Sequence, residues 1–226
     1  MNAEIHEADI PFISPLEFPT MGLPKPNTLL TVDEYLAFER PSLDRHVYLD
    51  GEIFAMAGES EAHGDITVNL VISLGTQLKD KPCRARTKDT KVRSGPIPML
   101  GTSRRGMFSY PDIVVICGER EFHDAERDII LNPTVIIEVL SQSTEKFDRG
   151  DKFERFKTYN PTLRDYLLVS QDRPEIEHYT SQADSRWTFD RVTGLEANVI
   201  VDSIDCVLKL ADVYDRVEFP PAESST

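Results

Sequence analysis

Residues 135–140 read VIIEVL, and residues 110–117 read YPDIVVIC. These two stretches decide the fold. Both are apolar at successive positions, without the polar–apolar alternation of a half-exposed strand. Such runs belong to central strands covered on both faces. Each carries one acid, Glu138 and Asp112. An ionised carboxylate in a buried strand costs several kcal/mol unless something compensates it. A cationic side chain, a set of backbone N–H groups or a metal ion can do so. Two acids on neighbouring strands also repel each other, and a divalent cation between them removes that repulsion. Oxygen-only ligation suits Mg²⁺ or Mn²⁺, which keep several waters and also contact phosphate. Taken singly, either acid is equally well explained by a salt bridge or a cap at a strand end.

Outward from this pair, the chain alternates helix and strand signals. Residues 60–79 place Ile66, Leu70, Leu74 and Leu78 at steps of four, which predicts a helix. Strand-like runs follow at 83–93, 108–116 and 134–140. Residues 143–159 are charged, with Phe147, Phe153, Phe156 and Tyr159 at helical spacing, and Pro161 lies just beyond. Residues 165–170 (DYLLVS) form another buried strand. The order from residue 60 onward is α, β, β, β, α, β, which predicts an α/β fold with a mixed sheet and flanking helices. Upstream, Thr31 followed by Glu34 is a capping-box signature opening a short helix. The string HVYLDGEIFAMAG from residue 46 is a hairpin turned at Asp50-Gly51. Shorter strands are expected at 176–179, 187–192 and 199–201, with a helical turn at 210–214.

The 226 residues suffice for one sizeable core. We expect an extended proline-rich arm over 1–27, one domain over 28–218 and a tail over 219–226. No apolar run reaches the roughly 18 residues of a membrane helix. Cys83, Cys117 and Cys206 are far apart and lack CxxC spacing, which predicts neither a zinc site nor a disulfide framework and makes a cytoplasmic location the default. The net charge of −14 argues against a protein that coats nucleic acid non-specifically. It leaves a local site open. Between residues 84 and 105, seven basic residues accompany a single acid, Asp89. This segment is either a solvated face or a phosphate-facing patch. Glycine-loop nucleotide motifs, HExxH and GxSxG are all absent.

Phosphodiester cleavage also uses a cation that positions water or offsets developing charge. Leu140 stands two residues after Glu138, so that strand supplies no lysine. The next helix offers Lys146, Lys152 and Lys157. Lys152 neighbours Phe153 and Phe156 and so sits at the edge of the buried face, from which a long side chain reaches back over the strand end. Plain solvent exposure is the simpler reading of that lysine taken alone.

The strings YLDGEIFAMAG, AHGDITVNL, YPDIVVICG, NPTVIIEVLSQST, DRGDKFERF and DYLLVSQDRP, in this order, resemble the Uma endonuclease family. That family belongs to the PD-(D/E)xK nuclease superfamily, with a restriction-endonuclease-like fold. The resemblance covers about residues 29–218. It implies that Pro111-Asp112 is the PD element, that Glu138 is the acid of the (D/E)xK element, and that the lysine has moved to Lys152. It further implies that Glu52 and His63 face the same site. Read on their own, Glu52 is an exposed acid at a strand start and His63 a structural histidine near a helix start. Ser141 is expected to cap the following helix.

Two function classes remain. The first is a Mg²⁺- or Mn²⁺-dependent nuclease acting on DNA. Its metal would be held by Asp112, Glu138 and the Val139 carbonyl, with Lys152 at the reacting phosphate and Lys88, Lys91 and Arg93 steering the backbone. The second is a nuclease-fold module that binds nucleic acid or a protein without cutting. A homodimer is expected on superfamily grounds and from the proline-rich arm.

Overall fold

The computed structural model describes residues 29–56, 58–96 and 103–220. The whole of the expected arm (1–27) and most of the expected tail (221–226 of 219–226) lie outside them. The elements are α1 (Val32–Glu39), β1 (His46–Leu49), β2 (Glu52–Ala55), α2 (Glu61–Gln77), β3 (Cys83–Thr87), β4 (Lys91–Ser94), β5 (Met107–Ser109), β6 (Ile113–Cys117), β7 (Ile129–Ile130), β8 (Val135–Val139), α3 (Glu145–Phe147), α4 (Phe153–Tyr159), β9 (Asp165–Val169), β10 (Glu175–Ser181), β11 (Trp187–Thr193), β12 (Asn198–Val201), β13 (Cys206–Lys209) and α5 (Leu210–Val213). A π-helical turn, Asp148–Lys152, joins α3 to α4.

The strands form two main sheets. One has the order β2-β1-β5-β4-β7, the other β11-β10-β9-β8-β6-β3, and β12 and β13 make a separate hairpin. Strands β8 and β9 run parallel, whereas β6 pairs with β8 antiparallel. The mixed α/β architecture is the one the sequence predicts.

Central strand β8 shows why the run VIIEVL contains no exposed position. Val135, Ile137 and Val139 enter one core with Ile66, Leu70 and Leu74 of α2. Ile136 and Leu140 enter a second core with Phe153 and Phe156 of α4 and with Val92 and Met107 of the other sheet. With a strand period of two, Glu138 belongs to that second face.

Two runs expected as single strands are each divided between the sheets. The run at 83–93 bends after Thr87, where Thr90 N–H returns to the Thr87 carbonyl at 2.9 Å, and β3 and β4 then join different sheets. The run at 108–116 breaks between β5 and β6 at Pro111, which has no N–H to continue a ladder. Asp112 therefore stands where the chain passes from one sheet to the other. The helix expected over 143–159 is also interrupted. Gly150, at φ −107° and ψ −108°, takes a conformation outside the helical region within the π-helical turn.

Local signals elsewhere match the structure. Thr31 and Glu34 form the reciprocal capping box of α1. Asp50 (φ 47°) and Gly51 (φ 103°) both have positive φ, as a tight hairpin turn requires.

The cysteine expectation is overturned. Cys83 and Cys117 form a disulfide, their Cα atoms 3.9 Å apart. The β3–β6 register sets them directly opposite, so separation along the chain was no guide. The cysteine ground for a cytoplasmic location falls with it. Among the described residues, no helix is long and apolar enough to cross a membrane.

Candidate active site

The β6–β8 register ends at Ile113↔Ile137, and Asp112, the residue before Ile113, accepts the N–H of Val139, the residue after Glu138. The two acids are thus brought together at the ends of neighbouring strands.

Asp112 is held from two directions. Its Oδ2 accepts the Val139 N–H at 2.8 Å, and its Oδ1 lies 3.0 Å from His63 Nε2 at the start of α2. His63 is in turn fixed by the cap of α2, where Ser60 Oγ accepts the His63 backbone N–H at 3.2 Å. In an extended strand the N–H and C=O of one residue point to the same edge. The Val139 carbonyl therefore faces the edge on which Asp112 lies.

Glu138 is 3% exposed. Its Oε1 lies 2.8 Å from Lys152 Nζ, a buried ion pair. Lys152 Nζ also donates to Asp148 Oδ1 at 2.9 Å. Lys152 and Asp148 both come from the π-helical turn and both are buried. The Tyr166 hydroxyl of β9 anchors that turn by donating to the Asp148 carbonyl at 2.9 Å.

Burial pushes the Glu138 carboxyl up to about 8. Lys152 opposes that shift, while Asp148 and Asp112 add to it. Lys152 moves in the opposite sense from what its burial alone would cause. Burial disfavours its charge, but Asp148 and Glu138 outweigh this and hold the ammonium protonated. Two carboxylates, Glu138 and Asp148, thus share one lysine.

A family model described as "Putative restriction endonuclease", Uma2, matches residues 32–211. The chain belongs to the Uma2 family. Two proteins of Synechocystis sp. resemble this Uma2 chain over most of its length. "Uncharacterized protein slr1290" is 36% identical over 169 residues, 75% of this chain and 81% of the relative. "Uncharacterized protein sll1609" is 32% identical over 171 residues, 76% and 92% respectively. Among solved structures, a "putative nuclease belonging to DUF820" from Anabaena variabilis superposes with a TM-score of 0.63 at 18% identity, covering 82% of this chain and 97% of that one. At that identity the likeness establishes the nuclease-like fold.

The remaining expected site residues of the Uma2 chain have these surroundings. Glu52 lies exposed on the edge strand β2 of the other sheet, its side chain making no hydrogen bond or ion pair among the described residues. Lys91 and Arg93 are each 4% exposed. Lys91 sits between the rings of Tyr35 and Tyr110, and burial pushes its ammonium down. Arg93 packs on Phe108, donates to the Pro96 carbonyl and meets His123 Nδ1. Both belong to β4, an internal strand, and cannot form a phosphate-facing surface. Lys88 stays partly exposed, paired with Glu59. Ser141 caps the turn ahead of α3, its Oγ accepting the Thr144 N–H at 3.3 Å.

Sequence reasoning missed Asp148. Its one signal was the four-residue spacing to Lys152, which places two side chains of a helical segment together.

Proposed function

We propose that this Uma2 protein is a divalent-metal-dependent endonuclease that hydrolyses phosphodiester bonds of DNA. The observation that supports the reading is the placement of Asp112 and Glu138 at adjacent strand ends, with the buried Lys152 beside Glu138. Among the described residues, no three His, Cys, Asp or Glu side chains converge as a metal cluster. Two carboxylates and one backbone carbonyl suffice for Mg²⁺ or Mn²⁺, whose remaining positions go to water and substrate oxygens. Glu138 fits such a cation. It is a buried acid in carboxylate-rich surroundings, where Asp148 and Asp112 add to the effect of burial. Asp112, Glu138 and the Val139 carbonyl would hold the ion. When bound, it would polarise a phosphoryl oxygen and acidify a water.

The remaining roles follow from the residues themselves. Lys152, kept charged by two acids, is unsuited to accept a proton and suited to offset negative charge gathering on phosphate. His63 and the Val139 N–H fix the orientation of Asp112. Asp148 fixes the lysine. The proposal extends to a homodimer, since cutting both strands of a duplex takes two sites.

A non-cutting module draws on one observation: Asp112 and Glu138 already have partners in His63 and Lys152. Plasmid nicking with Mg²⁺ or Mn²⁺ separates the readings. The nuclease reading expects cleavage by the wild type and loss of it in Asp112→Ala. Equal products from the two proteins would overturn it.

A further inference from the structure

Four arginines converge away from the carboxylates. Arg84 and Arg86 of β3, with Arg120 and Arg127 of the segment after β6, line a pocket of about 250 Å³ that includes Gly118 and one acid, Glu119. All four arginines are exposed. Among the described residues, none of their side chains makes an ion pair or a hydrogen bond. In a chain of net charge −14, an arginine without an acidic partner has many acids available, so four together are not a by-product of composition. Phe122 orders two of them. The Arg127 guanidinium stands 4.4 Å and that of Arg120 5.7 Å from its ring centroid.

Register relates this pocket to the candidate active site. Arg84 opposes Ile116 and Arg86 opposes Val114. Val114 opposes Ile136 of β8, two residues before Glu138. Directly opposed residues share a face, so Arg84 and Arg86 lie on the face that carries Glu138. Two strand spacings and two residues of strand separate Arg86 from Glu138, on the order of 10 Å. That is roughly three base-pair steps of duplex DNA at about 3.4 Å each.

We infer that the Arg84, Arg86, Arg120 and Arg127 pocket binds backbone phosphates of the DNA strand that runs to Glu138. This rests on the nuclease reading for its direction and deepens it. Planar guanidinium forks match phosphate oxygens bidentately, and they come here without acids that must first be displaced. The positive ground expected from sequence at Lys91 and Arg93 is supplied by residues whose side chains reach solvent.

The test is binding of a short labelled DNA duplex across a salt series in EDTA, so that cleavage plays no part. Arg84→Ala/Arg86→Ala and Arg120→Ala/Arg127→Ala are compared with Arg186→Ala/Lys209→Ala, which removes the same charge elsewhere. Each pocket variant should bind more weakly, with a log–log salt slope shallower by roughly 1 to 2 units. The control pair should leave slope and affinity as in the wild type. Thermal melts verify folding, and Arg→Lys versions of the pocket pairs should recover most of the slope. Unchanged slopes in both pocket variants, an equal loss in the control, or no binding by the wild type would each overturn the inference. Pocket-dependent binding by a wild type that cleaves nothing would end the nuclease reading and leave the phosphate site standing.

Discussion

The Val139 N–H donates to Asp112 Oδ2 at 2.8 Å, so the side chain of one candidate acid closes the end of the strand that carries the other. Asp112 thereby has a structural duty beside its proposed chemical one. Asp112→Ala leaves the Val139 N–H and His63 without their acceptor and should cost about 1–3 kcal/mol. Asp112→Asn keeps an amide oxygen for Val139 and removes the charge. Thermal melts should place Asp112→Asn near the wild type and Asp112→Ala below it, while nicking assays find both inactive.

Lys152 pairs with two buried acids, Glu138 and Asp148. Lys152→Met preserves much of the volume and strands both carboxylates. Removing one partner of a buried ion pair typically costs about 3–5 kcal/mol. Without the lysine, Glu138 holds its proton to still higher pH, so the penalty should be larger at pH 9 than at pH 5, where the acid is protonated in both proteins. Urea denaturation at the two pH values measures the difference. Equal losses at both would show that Lys152 acts by packing alone.

Glu138 also gives the wild type a pH signature. Its carboxyl titrates at about 8 when folded, against 4.5 ordinarily. The folded state therefore binds the proton more tightly than the unfolded state. The Glu138 contribution to stability is complete below about pH 4.5 and is lost as pH rises through 8. Above that, both states are ionised and the dependence flattens. Unfolding free energies in EDTA should decline across this window, and Glu138→Gln should flatten the decline. Added Mn²⁺ should offset the loss in the wild type, because it favours the ionised acid.

Asn160 tests a joint of the fold away from the acids. Its Nδ2 donates to the Arg93 carbonyl and to the Leu131 carbonyl, each at 3.0 Å, tying β4 to the chain between β7 and β8 at the end of α4. Asn160→Ala leaves two carbonyls without this donor and should cost about 1–3 kcal/mol. Chemical denaturation reads the loss, and metal binding by the folded protein should be unchanged.

The sequence disclosed what rests on local rules. VIIEVL announced a buried strand, Thr31 and Glu34 a helix start, and Asp50-Gly51 a turn. The two acids were legible because an unexplained charge in an apolar run is itself a signal. What stayed hidden depends on pairing between distant segments. Cys83 meets Cys117, and β3 parts from β4, through register that no single run contains. Lys91 and Arg93 read as surface cations because charge alone gives no orientation, and their strand proved internal. Asp148 was obscured because the helix was read as continuous, whereas the π-helical turn around Gly150 brings Asp148 and Lys152 to the site. Arg120 and Arg127 join Arg84 and Arg86 across a strand pair.

Calorimetric titration of Mn²⁺ into the wild type and into Glu138→Gln reaches the proposed metal site without depending on turnover. The wild type should bind the ion with release of protons near pH 8, and Glu138→Gln, with melting behaviour intact, should lose that heat. The same isotherm from both proteins, or none from the wild type, would contradict a divalent-cation site at Asp112 and Glu138.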